Sequence, residues 1–107
     1  MEIIQKNTSS IVELCDRYHV AELYVFGSVL TDRFKNDSDI DFLVKFSFVN
    51  PMEYFDNYMD FKESLEKLFL RKVDLLEIQT LRNPILKRSI NRDKVIIYGR
   101  ENTKMAV

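Results

Sequence analysis

Apolar and polar residues follow one another in blocks along the chain, and each block has the period of a strand or of a helix. Short apolar runs rich in β-branched and aromatic residues predict strands at residues 22–26, 39–46, 72–78 and 94–98. Amphipathic stretches predict helices at residues 10–18, at residues 51 to about 69, and after Asn83-Pro84. The order is helix, two strands, helix, strand, helix, strand, and it predicts a small sheet with helices packed against it, an α/β or α+β fold.

The starts of the predicted helices carry recognisable signals. Ser10 followed by Glu13 fits a capping box. Asn50-Pro51 joins a capping residue to a proline at the first helical position, and Asn83-Pro84 opens the last helix in the same way. Residues 28–38 are polar and predict a loop with room for one helical turn, and a polar tail follows the last strand.

Size and composition narrow the class of protein. A chain of 107 residues has room for one domain with a single core, so we expect residues 1–107 to form a single domain. The formal net charge of −1 offers no overall electrostatic attraction for a nucleic acid, and we expect no nucleic-acid partner. No signal peptide and no apolar run of membrane-spanning length is visible, which predicts a cytoplasmic protein without a membrane partner. The single cysteine, Cys15, lies among apolar residues and is expected to be buried.

Two aspartates interrupt a predicted strand where apolar residues would be ordinary. Asp39 and Asp41 point to the same face of that strand, because side chains alternate, and they lie roughly 6–7 Å apart. If the strand at residues 72–78 is the neighbour, Asp74 can join them on that face. Three converging carboxylates repel one another strongly unless cations lie between them.

Magnesium suits such a cluster, because it prefers oxygen ligands and takes its remaining ligands from waters and substrate phosphates. Two such ions can activate an attacking oxygen and stabilise a leaving pyrophosphate. The preceding strand ends at Gly27-Ser28, where the glycine allows backbone to approach a phosphate and the serine offers two donors. The pattern therefore predicts a metal and triphosphate site. Each part by itself is common in turns and on surfaces, so the prediction depends on the combination.

The combination resembles the signature of the DNA polymerase beta-like nucleotidyltransferase superfamily. Gly27-Ser28, ten intervening residues and Asp39-Ile40-Asp41 match that signature, and the length is similar to that of its minimal nucleotidyltransferases. The resemblance extends from about Ile11 to Gly99 and includes the third acid, Asp74.

The resemblance implies a mixed sheet flanked by helices, dependence on magnesium, and transfer of a nucleoside monophosphate, AMP from ATP, to a hydroxyl. It implies that Gly27 and Ser28 contact the triphosphate, that Asp39 and Asp41 hold metal, and that Asp74 joins them and helps to activate the acceptor. Many relatives have an arginine and a glycine soon after the Gly-Ser pair, where this chain has Thr31 and Asp32. Arg33 and Lys35 are the basic residues that can substitute for that arginine.

Minimal members of the superfamily often pair with a small HEPN-type RNase in toxin–antitoxin modules, where they act as antitoxin by adding AMP to the toxin. The resemblance therefore implies a HEPN-type toxin protein as partner and acceptor. Two alternatives remain open at this point. One is an enzyme that adenylylates a small molecule such as an aminoglycoside, and the other is a binding module that masks a partner without catalysis.

Overall fold

The computed structural model describes residues 2–99, which form one four-stranded sheet with helices on both faces. The elements in chain order are α1 (Glu2–Gln5), α2 (Thr8–Arg17), β1 (Val20–Phe26), β2 (Ile40–Phe46), α3 (Pro51–Phe69), β3 (Val73–Glu77), α4 (Pro84–Asp93) and β4 (Val95–Gly99). Short 3₁₀ turns follow β1 at Gly27–Leu30 and β3 at Ile78–Thr80. The polar tail after β4 lies outside the described residues.

The sheet has the strand order β3-β2-β1-β4 and contains both kinds of pairing. β1 is antiparallel to β2 and to β4, whereas β2 and β3 are parallel and are joined through α3. The parallel pair places the beginnings of β2 and β3 at the same edge of the sheet, next to the end of β1. The prediction of a mixed sheet flanked by helices is confirmed.

Two of the three predicted helix starts are confirmed by their hydrogen bonds. The Asn50 side chain accepts from the Met52 N–H at 3.0 Å, and the Asn83 side chain accepts from the Ile85 N–H at 2.9 Å. The capping box at Ser10 is wrong, because α2 begins two residues earlier, at Thr8. The Thr8 hydroxyl donates to carbonyls of α1, at 2.9 Å for that of Gln5, so contact with α1 replaces a side-chain cap.

The main core lies between one face of the sheet and the helices α2 and α3. β2 contributes Ile40, Phe42 and Val44, all with no measurable exposure, as the strand alternation requires. Further buried members come from β1, β3 and the two helices, and they include Ile11, Cys15, Leu23, Val25, Phe61, Leu65, Phe69, Val73 and Leu75. The expected burial of Cys15 is confirmed, and burial, with the charge of Asp16 as a second cause, raises the pKa of its thiol to about 12.

A smaller cluster lies on the opposite face, where α4 packs. Its buried members are Tyr24 of β1, Leu43 of β2 and Ile90 of α4. Leu76 of β3 packs against them and is half-buried. Because Asp41 alternates with Phe42 and precedes Leu43 by two residues, this is also the face that carries Asp41. α4 covers only part of this face, so charged residues have access to solvent there.

The described helices are short or strongly polar on one side. Within residues 2–99, no helix has the length and apolar content required to cross a membrane.

Candidate active site

The parallel pairing of β2 and β3 brings two of the predicted acids together. Asp41 is the register partner of Asp74, so their side chains project from adjacent strands toward the same face. Asp39 lies one residue before β2, in the loop that leads into it, and is exposed. The Ile40 N–H donates to the Lys72 carbonyl at 3.2 Å, which ties the residue after Asp39 to the start of β3. The three acids thus belong to one edge of the sheet.

Gly27 packs directly against the carboxyl group of Asp41. Phe26 is the register partner of Asp41, so the turn that begins at Gly27 starts one residue beyond the carboxylate. A Cβ atom at Gly27 would overlap the Asp41 Oδ2 atom and lie 3.1 Å from its Cγ. Gly27 also has φ +81°, a conformation that favours glycine. Both features explain why the turn beside the acids begins with glycine.

The Asp41 carboxyl is electrostatically perturbed. Burial, followed by the negative charges of Asp74 and Asp39, raises its pKa from 3.8 to about 6. Both neighbouring acids contribute through repulsion, as smaller causes beside burial. The electrostatic field at Asp41 therefore favours a positive ligand.

The turn after β1 opens onto a cavity of about 550 Å³ that can receive a phosphate chain. It is lined by Gly27, Ser28, Leu30, Thr31, Arg33 and Asp93. The Thr31 hydroxyl donates to the Ser28 carbonyl at 2.8 Å and accepts from the Arg33 N–H at 3.1 Å. Thr31 therefore shapes the turn. Of the basic residues Arg33 and Lys35 of the following loop, Arg33 lines the cavity.

The donor set of the three acids fits magnesium, because carboxylate oxygen is the ligand type that this ion prefers. Within residues 2–99, no three His, Cys, Asp or Glu side chains are grouped closely enough to hold a metal ion. Asp41 and Asp74 are in register, whereas Asp39 approaches from a loop.

Sequence reasoning missed two residues that support these elements. The Tyr58 hydroxyl donates to the Leu75 carbonyl at 2.5 Å, and burial together with the charge of Asp74 raises its pKa. Arg71 donates to two carbonyls of the loop that carries Asp39. Tyr58 follows the apolar period of α3, which does not indicate its hydrogen bond, and the position of Arg71 before a strand does not indicate which carbonyls it contacts.

An apolar groove of about 350 Å³ lies along β3, on the side of α3. Its lining comes from α3, β3 and the following turn: Tyr54, Phe55, Tyr58, Leu75, Leu76, Glu77 and Thr80. Phe55 is 70% exposed, and Met52, one helical turn away, is 91% exposed. Glu77 is in register with Val44 of the core face, so it faces away from Asp41 and Asp74.

Comparison with known proteins identifies the class to which this fold and site belong. The family model for polymerase beta nucleotidyltransferases matches residues 9–103. The chain belongs to this nucleotidyltransferase family, and the predicted resemblance is confirmed.

Individual relatives narrow the comparison. MJ1379 of Methanocaldococcus jannaschii, named as a candidate protein adenylyltransferase, is 34% identical over 96 residues, which is 90% of this chain and 92% of the relative. The protein adenylyltransferase MntA of Thermococcus cleftensis is 37% identical over 75 residues, 70% of this chain and 73% of the relative.

A solved complex shares the fold. It contains the tri-AMPylated HEPN toxin of Shewanella oneidensis and an MNT antitoxin, and it matches with a TM-score of 0.65 at 18% identity over 95% of this chain and 77% of the matched chain. At this identity the match concerns the fold alone. Together, the family and its relatives confirm that the chain is a nucleotidyltransferase.

Proposed function

We propose that the protein is a magnesium-dependent adenylyltransferase that transfers AMP from ATP to a hydroxyl of a HEPN-type toxin and thereby acts as its antitoxin. The observation that carries the proposal is the contact of Gly27 with Asp41, which is itself in register with Asp74. A phosphate-binding turn and an acid cluster meet at one edge of the sheet. The names of the relatives supply the protein acceptor and the AMP group.

In this proposal the residues divide between phosphate binding and metal binding. Gly27 and Ser28 hold the triphosphate through their backbone and hydroxyl donors, and Arg33 faces the same cavity as a cation. Asp39 and Asp41, joined by Asp74, would hold two magnesium ions. When bound, these ions supply charge neutralisation for the phosphates and the leaving pyrophosphate.

The transfer step is a substitution at the α-phosphorus of ATP. The acceptor oxygen forms a bond to this phosphorus while the bond to the oxygen that leads to the β-phosphate breaks, and pyrophosphate leaves. The proton of the acceptor hydroxyl passes to a carboxylate, a role that we assign to Asp74, which is exposed on the edge strand β3. The product is a phosphodiester between AMP and the acceptor.

The groove along β3 favours a protein acceptor over a small one. Small-molecule sites usually enclose most of their ligand, whereas this groove is lined by an exposed apolar side chain, Phe55, and the exposed Met52 lies one helical turn away. A protein surface can cover such residues and close the open side of the site. We therefore propose a tyrosine as the acceptor residue, since its ring suits an aromatic groove. The use of ATP also leads us to propose a cytoplasmic location.

The experiment combines the chain, magnesium and ATP labelled at the α-phosphate with the HEPN-type protein encoded beside it. We expect labelling of that protein and a mass increase of one or more AMP units, and no labelling by the variant that carries Asp39→Asn and Asp41→Asn. An unmodified neighbour together with labelled aminoglycoside would support the small-molecule alternative. A tight complex without any labelling would support the masking module.

A further inference from the structure

The loop that carries Asp39 has little secondary structure to hold it. It spans residues 31–39, between the 3₁₀ turn after β1 and the start of β2, and most of its residues are exposed. A ligand group on such a loop is mobile unless another part of the molecule fixes the backbone. What fixes this loop therefore bears on how well Asp39 is placed.

Arg71 contacts this loop through three separate groups. Its Nη1 atom donates to the Lys35 carbonyl at 3.0 Å and to the Ser38 carbonyl at 2.9 Å. Its guanidinium carbon lies 4.6 Å from the centre of the Phe34 ring. The Ser38 carbonyl belongs to the peptide group that joins Ser38 to Asp39, so one of these hydrogen bonds acts on the backbone immediately before the acid.

Arg71 is itself held by the chain reversal between α3 and β3. α3 is followed by Leu70 in the left-handed conformation (φ 56°), and the Arg71 N–H donates to the Glu66 carbonyl at 3.4 Å. The Glu66 side chain accepts from the Val73 N–H at 3.0 Å, and this hydrogen bond connects the start of β3 to α3. Arg71 thus connects the loop of Asp39 to the strand that carries Asp74.

The charge of Arg71 has no carboxylate partner in the part of the chain that the structure describes. No salt bridge to Arg71 is formed there, and its Nε atom is buried without a hydrogen-bond partner. Partial burial of an unpaired guanidinium is costly, and here the two carbonyls and the aromatic ring offset the cost. This chemistry requires a planar group with several donors, which lysine does not have.

We infer that Arg71 is a positioning residue that fixes the loop of residues 34–38 and thereby places Asp39 for metal binding. The inference rests on the proposed function in that it takes Asp39 as a metal ligand. Arg71 does not contact the reacting atoms. It acts on Asp39 through the peptide group that precedes it.

The experiment compares Arg71→Met and Arg71→Lys with a control, Lys67→Met, which removes an exposed charge from the last turn of α3. The first readout is amide hydrogen exchange at Ser38 and Ile40, whose N–H groups are bonded in the structure, with Val25 of β1 as an internal reference. The second readout is the affinity for Mn²⁺, a probe ion that takes the same oxygen ligands as magnesium.

We expect Arg71→Met to speed exchange at Ser38 by about tenfold or more and to weaken Mn²⁺ binding by about tenfold, because hydrogen bonds to charged groups are strong. Arg71→Lys should recover only part of both effects, whereas Lys67→Met should leave both unchanged and Val25 should exchange equally in all variants. In the transfer assay, Arg71→Met should lower kcat with the acceptor KM little changed.

Unchanged exchange at Ser38 in Arg71→Met would overturn the inference. Faster exchange with unchanged Mn²⁺ affinity would also overturn it, since the loop would then be irrelevant to the metal. Equally faster exchange at Val25 would show a general loss of stability instead of positioning, and would count against it. If the wild-type chain binds no Mn²⁺ and transfers no AMP, the proposed function fails, and exchange at Ser38 alone decides whether Arg71 holds the loop.

Discussion

The face of the sheet under α2 and α3 differs from the face toward α4 in how completely it is covered. Phe42 and Asp41 are neighbours in β2, yet Phe42 is fully buried in the main core while Asp41 is half-buried beside Gly27. On the first face, two helices cover buried residues of β1, β2 and β3. On the second, α4 contributes one buried residue, Ile90, and leaves the edge with the acids open.

The difference shows how a small protein separates stability from chemistry. Successive side chains of a strand point to opposite faces of the sheet. In β2, one series of alternate side chains packs in the main core, and the other series includes Asp41. Repulsion among the acids is tolerated because the closed face supplies most of the buried apolar surface. The comparison predicts that substitutions on the two faces have separable effects.

The largest expected effect is on activity, from the variant with Asp39→Asn and Asp41→Asn. We expect transfer to fall by at least about 10³-fold, because metal ions contribute several kcal/mol to transition-state stabilisation. The melting temperature should stay the same or rise. The measurement is AMP transfer beside a thermal melt, with Asp37→Asn, an exposed acid of the same loop, as control. A lowered melting temperature would show that the acids of the open face also stabilise the fold.

The next largest effect is on stability, from truncation of the closed face. Phe42→Ala should lower the free energy of unfolding by about 3–5 kcal/mol, whereas Ile90→Ala should cost only about 2 kcal/mol. The second value is smaller because most neighbours of Ile90 are themselves only half-buried. Urea unfolding measures both. Equal losses would contradict the difference between the two faces.

A smaller effect is expected where the turn meets the open face. Gly27→Ala places a side chain at φ +81°, which costs about 1–2 kcal/mol, and its Cβ displaces the Asp41 carboxyl. In a background with Asp41→Ala, the overlap is gone and only the backbone strain remains. We therefore expect Gly27→Ala to lower the free energy of unfolding less in the Asp41→Ala background than in the wild type. A double-mutant cycle measures this difference. Additive losses would mean that Gly27 and Asp41 do not interact.

The smallest effect concerns the pH dependence of stability. The pKa of Asp41 is raised from 3.8 to about 6, so the folded state binds the proton more tightly than the unfolded state does. Ionised Asp41 therefore destabilises the fold fully above about pH 6 and not at all below about pH 3.8. Asp41→Asn should stabilise the protein by about 1 kcal/mol at pH 7, an amount reduced by solvent screening, with the gain disappearing toward pH 4.

Urea unfolding from pH 4 to pH 8 measures this gain, with Asp37→Asn, which removes an exposed acid of the same loop, as the matched control. A gain for Asp41→Asn that grows toward low pH would have the opposite sign and would show that the Asp41 carboxylate is stabilised in the fold.

Local sequence signals determined much of this protein. The strand at residues 39–46 was predictable because its apolar residues alternate with acids, and the start of α3 was predictable because Asn50-Pro51 satisfies its first N–H groups locally. The spacing from Gly27-Ser28 to Asp39 and Asp41 indicated the family, which the comparison confirms. These features depend on residues that are close together in the chain.

Only the tertiary structure decided which residues meet across elements. The register that places Asp41 opposite Asp74 depends on a parallel pair joined through all of α3, and no local pattern fixes such a register. The start of α2 at Thr8 depends on carbonyls of α1, so the capping signal at Ser10 was misleading. Arg71 reaches carbonyls more than 30 residues earlier in the chain. Such contacts form because packing of the core brings distant segments together. Local sequence patterns around the residues involved do not indicate these contacts.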